Sequence, residues 1–60
     1  MTTLKRLRIQ KGLSQRQLAE LIGVHPSYIS LIERGKRPGS IRVLKKLSLF
    51  FNVPLDTLVK

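Results

Sequence analysis

The chain has 60 residues and no cysteine, which leaves room for one domain, expected over residues 1–60, with no disulfide to brace it. Its one histidine and three carboxylates, Glu20, Glu33 and Asp56, are too few for a thiolate or multi-histidine metal site, so no metal is expected. A hydrophobic fraction of 42% is ordinary for a folded domain, while twelve Lys and Arg against three acids give a net charge of +9, which implies a polyanionic partner: nucleic acid or an anionic membrane surface.

Apolar residues recur at helical spacing between breakers at Gly12, Gly23, Gly35 to Gly39 and Asn52 to Pro54, which predicts five short helices and no strands. The first runs from about Thr3 to Lys11 with Leu4 and Leu7 inward, and Gly12 stops it. Ser14 and Gln17 have the spacing of a capping box, and Leu13 and Leu18 that of a hydrophobic staple, so a second helix starts at Ser14. Leu18, Leu21 and Ile22 are expected on its inner face, with small Ala19 allowing close approach and Gly23 ending it. Only Gly23, Val24 and His25 then precede Pro26, a residue suited to a first helical turn. So short a connection between two helices matches a helix-turn-helix.

A third helix is expected over residues 26–33. A fourth starts at the cap Ser40, places Ile41, Leu44, Leu47 and Phe51 on one face, and ends at Asn52. A short fifth carries Leu55, Leu58 and Val59 on one side, with Asp56 in its first turn.

The run Gly12-Leu-Ser-Gln-Arg-Gln-Leu-Ala-Glu-Leu-Ile-Gly-Val-His-Pro-Ser-Tyr-Ile-Ser-Leu-Ile-Glu-Arg-Gly35 resembles the Xre family of lambda-repressor-like, or Cro-like, helix-turn-helix domains. The resemblance covers essentially the whole chain, since Arg8, Leu44, Leu47, Phe51, Leu55 and Leu58 also fall at family core positions. Four positions depart from the family's habit. His25 replaces a Ser or Thr cap, Ser48 replaces Ala, Pro54 replaces Ser, and Leu31 stands where polar or basic residues are frequent.

The resemblance implies an all-α, five-helix fold that binds double-stranded DNA, with helix 3 in the major groove and helix 2 across the backbone. It implies that Gln15 contacts phosphate and braces helix 3, and that Pro26, Ser27, Ser30 and Leu31 face base edges. Arg34, Lys36 and Arg37 then follow the backbone, and Arg8 pairs with Glu33 between helices 1 and 3. Geometry at about 100° per residue agrees, turning Ile29, Ile32 and Glu33 inward and Ser27, Leu31 and Arg34 outward. Cations flank this reader on both sides: Lys5, Arg6, Arg8, Lys11 and Arg16 before it, and Arg34, Lys36, Arg37, Arg42, Lys45 and Lys46 after it. Arg16, Lys36 and Arg37 are expected to hold phosphates, while Lys5, Lys45 and Lys46 read as solvated. His25 reads as a cap, and Tyr28 stands between packing at the helix edge and donating to a phosphate.

Val43, Leu49 and Phe50 form an apolar surplus beside Leu55 and Val59, read as a homodimer contact that the family resemblance also suggests. The expected function is sequence-specific transcriptional regulation by a cytoplasmic repressor of prokaryotic, phage or plasmid type. Neither a cofactor nor a small-molecule ligand is expected. No apolar run approaches the ~20 residues that cross a bilayer, and Met1 to Arg6 lacks a secretory apolar stretch. Two other readings are a protein-binding adaptor on the same fold, disfavoured by the charge, and a cationic membrane-active peptide, disfavoured by five capped segments in place of one long amphipathic face. An enzyme is not expected, because no nucleophile–base or carboxylate pair has useful spacing.

Overall fold

A computed structural model describes residues 3–58 as four α-helices and a closing 3₁₀ turn, with no strand among the described residues. The helices are α1 (Thr3–Gln10), α2 (Gln15–Ile22), α3 (Pro26–Glu33) and α4 (Ile41–Phe51), and the turn spans Leu55–Thr57.

The caps explain where the helices begin. Ser14 Oγ accepts the Gln17 N–H at 3.0 Å and Gln17 Oε1 accepts the Ser14 N–H at 2.8 Å, so the capping box is closed in both directions. His25 caps α3 in front of Pro26, and Ser40 Oγ accepts the Val43 N–H at 3.2 Å to start α4. Gly23 ends α2 in the left-handed region at φ 88°, its N–H bonded to Ala19 O at 2.8 Å. Gly39 combines a φ of +85° with crowding, since a Cβ there would lie 3.1 Å from Ile32 Cδ1. The backbone between α3 and α4 is thus pressed onto the core at a place only glycine fits.

Where the fifth helix is expected, the described residues hold only a short turn. Residues 55–57 form a single 3₁₀ turn with i→i+3 bonds, Thr57 N to Pro54 O at 3.0 Å and Leu58 N to Leu55 O at 2.9 Å. So few residues do not recover the cost of an α-helical nucleus. The turn is held by Leu55 and Leu58, which are partly buried against the core. Val59 lies outside the described residues.

Leu18, Ile29 and Leu47 are fully buried at the centre, and Leu4, Ala19, Ile22, Ile32, Val43, Leu44 and Phe51 surround them. Ala19, also without exposed surface, adds little bulk to the buried stripe of α2, whose main packing partner is α3. Two expected core residues are not in the core: Leu21 is 59% exposed and Ile41 55%. The buried stripe of α2 is Leu18, Ala19 and Ile22, and Leu21 lies about 100° from its centre. On α4 the stripe is Val43, Leu44, Leu47 and Phe51, which leaves Ile41 about 100° away. Val43 therefore belongs to the monomer core and is not available as an interface residue.

Candidate nucleic-acid interface

The turn between α2 and α3 sets the site. Gly23 and Val24 direct their N–H groups back to Ala19 O, at 2.8 and 2.9 Å. The chain then reverses into α3 through His25, whose Nδ1 accepts the Ser27 N–H at 3.1 Å and lies 2.7 Å from Ser27 Oγ. The tight connection read from the sequence is thus built from a left-handed glycine and an imidazole cap.

The inner side of α3 is Ile29, Ile32 and Glu33, all buried. Glu33 receives three donors. Arg8 Nε lies 2.6 Å from Oε2, Arg8 Nη2 lies 3.1 Å from Oε1, and Gln15 Nε2 also reaches Oε1 at 3.1 Å. Arg8 Nη1 donates to Leu13 O at 2.8 Å. One buried bidentate pair therefore joins α1, the α1–α2 turn and the last residue of α3, with the guanidinium fork matched to a planar carboxylate. The Arg8–Glu33 contact was legible in the sequence. The resemblance also implies the brace from Gln15 to α3, whereas the bond from Arg8 to Leu13 O, within the α1–α2 turn, has no counterpart among the sequence expectations.

On the outer side, Ser27 and Arg34 are exposed, and Pro26, Ser30 and Leu31 are half-buried. Leu31 is thus less outward than helical geometry alone indicates. Its carbonyl accepts the N–H groups of Lys36 at 2.9 Å and Arg37 at 3.3 Å, folding the basic segment back onto the end of α3. Gln15 is half-buried against Glu33, whereas Arg16, Lys36 and Arg37 are exposed.

Of the two roles open to Tyr28, packing is met, since it lies partly buried against the core. Its hydroxyl accepts the Ser40 N–H at 2.7 Å, which fastens the far end of the 34–40 segment to α3. Lys46, read as solvated, donates from Nζ to Ile22 O at 3.3 Å and so serves the C-terminus of α2. Such a bond was not visible in sequence, since 24 positions separate its partners.

The proposed interface residues divide. Leu49 is 82% exposed, opposite the buried stripe of α4. Phe50 is half-buried, meets Phe51 edge to face with centroids 5.0 Å apart, and carries Lys11 Nζ 5.6 Å from its own centroid. Leu55 is half-buried.

A helix crossing a capped second helix through a three-residue turn, bounded by exposed cations, defines a helix-turn-helix domain of the DNA-binding class. Comparison with known proteins places it further. The family model described as Helix-turn-helix (HTH_3) matches residues 4–58, and the chain belongs to this Xre/Cro-like helix-turn-helix family. It is 40% identical over 58 residues to the HTH-type transcriptional regulator SutR of Escherichia coli, covering 97% of this chain and 33% of that protein. Over 57 residues it is 42% identical to the HTH-type transcriptional regulator SinR of Bacillus subtilis, covering 93% and 51%. It is also 43% identical over 56 residues to the HTH-type transcriptional activator BcrR of Enterococcus faecalis, covering 93% and 28%. The chain thus spans from about a quarter to about half of the length of these three relatives. No helix among the described residues is long and apolar enough to cross a membrane.

Proposed function

We propose that the chain binds double-stranded DNA sequence-specifically, with α3 in the major groove, and thereby regulates transcription. The observation that carries this reading is the distribution of charge around α3. The helix's one acid, Glu33, is buried and neutralised by Arg8, while Lys11 and Arg16 before the helix and Arg34, Lys36 and Arg37 after it are exposed. A neutral reading helix between two sets of cations suits a duplex, where cations hold phosphates and uncharged side chains meet base edges.

In this reading Gln15, Arg16, Arg34, Lys36 and Arg37 contact the backbone, and Pro26, Ser27, Ser30 and Leu31 face the bases. Tyr28, whose hydroxyl oxygen already accepts the Ser40 N–H, donates its own proton to a phosphate. Two copies sit on a pseudo-palindrome with recognition helices ~34 Å apart, joined through Leu49, the exposed part of Phe50 and Leu55. Occupying a site is enough to exclude another protein from it, so repression is the outcome that needs no further partner. These activities belong to the cytoplasm, where the DNA of a prokaryote, phage or plasmid is accessible.

Selection of bound sites from random duplex DNA tests the reading. The expected result is an enriched sequence with two related half-sites. Uniform recovery of all sequences would contradict specific recognition, and recovery of single half-sites would contradict the dimer.

A further inference from the structure

A serine hydroxyl that faces a base edge ordinarily discriminates little, because it both donates and accepts and rotates to suit. Ser27 is not in that position. The backbone N–H of Ser27 is an obligatory donor, and it reaches His25 Nδ1 at 3.1 Å, so Nδ1 presents its lone pair and the ring proton sits on Nε2. The Ser27 Oγ lies 2.7 Å from that same nitrogen. A nitrogen without a proton cannot donate, so the short contact is made by the hydroxyl donating to Nδ1. The hydroxyl proton is thereby engaged, and the remaining surface of Oγ consists of lone pairs.

We infer that His25 fixes Ser27 as a hydrogen-bond acceptor, and that this chain consequently selects a base with an amino group in the major groove at the position Ser27 meets. Adenine N6 and cytosine N4 supply such a donor, whereas guanine O6 and N7 and thymine O4 only accept. The inference rests on the proposed groove-facing position of Ser27. It assigns to His25 a specificity-determining role exerted through its neighbour, beyond capping α3. A Ser or Thr at position 25 would cap the helix but would offer a hydroxyl that itself rotates, so the direction at Ser27 would not be set in this way.

The free protein gives a first test. Nitrogen NMR of the His25 imidazole is expected to show a bare Nδ1 and a protonated Nε2. A protonated Nδ1 overturns the inference. Site selection from random duplex DNA then compares the parent with His25→Ala, His25→Asn and Ser27→Ala, each first shown to melt cooperatively. The parent is expected to prefer adenine or cytosine at one position per half-site by about three- to tenfold, the scale of one net hydrogen bond. His25→Ala frees the hydroxyl and should flatten that position alone, as should Ser27→Ala, while His25→Asn retains an acceptor and should preserve the preference.

If Ser27→Ala flattens a position that His25→Ala leaves intact, the role of His25 is wrong and the placement of Ser27 stands. If Ser27→Ala changes no position, the placement of Ser27 fails, and the inference fails with it.

Discussion

Gln15 Nε2 and Glu33 Oε1 lie 3.1 Å apart, so the first residue of α2 is tied to the last residue of α3. The same carboxylate holds Arg8 through two bonds, and the side chains of that pair are 11% and 2% exposed. The relative placement of α1, α2 and α3 thus depends on one buried acid that organises both helices of the motif. Glu33→Gln keeps the shape but leaves Arg8 buried without a counter-charge, and it should cost ~3–5 kcal/mol in a urea or thermal melt. A loss under ~1 kcal/mol, the scale of an exposed ion pair, would show that the pair does not act as a buried one.

Tyr28→Phe removes the hydroxyl that accepts the Ser40 N–H. The expected loss is about 1 kcal/mol of stability, together with faster hydrogen exchange at the Ser40 amide. Unchanged exchange would mean that this bond does not hold the 34–40 segment. Binding of duplex DNA should weaken as well, since both the hydroxyl donor and the anchoring of the basic segment are lost.

Leu49 offers the cleanest test of dimerisation, because it is 82% exposed whereas Phe50 is also engaged with Phe51. Leu49→Glu should leave the monomer's stability within about 0.5 kcal/mol of the parent. Cooperative binding at paired half-sites should give way to weak independent binding. Cooperativity that persists would place the contact between protomers elsewhere.

Leu31 has no hydrogen-bonding side chain, and the thymine methyl is the apolar feature of the major groove. One thymine preference per half-site is expected, and Leu31→Ala should relax it by ~1 kcal/mol, about one buried methylene. Replacing thymine by uracil at each operator position checks this. If no position responds, Leu31 does not read DNA.

Local signals in the sequence located the helices well, because each rests on chemistry confined to a few neighbouring residues. The Ser14–Gln17 box, Pro26 at the start of α3, Ser40, Gly23 and left-handed Asn52 all occupy their expected places. Which way each stripe faces was less legible. Hydrophobicity alone turns Leu21 and Ile41 inward and Val43 outward, but the crossings that bring Ala19 into the α2 stripe and turn Val43 inward arise only when all the helices pack. Of the site, Arg8–Glu33 was legible through the family resemblance. The Gln15 brace on α3 was legible in the same way, but Tyr28–Ser40 and Lys46–Ile22 connect segments whose approach no local pattern specifies.

Contact between the exposed cations around α3 and a duplex is read out by the salt dependence of DNA binding. With about five phosphates neutralised per protomer, log K against log salt should fall with a slope near −4 to −5 per protomer. Individual removal of Lys36 and Arg37 should each reduce its magnitude by about one. A slope near zero, or one unaltered by both removals, would show that these cations do not meet the phosphates.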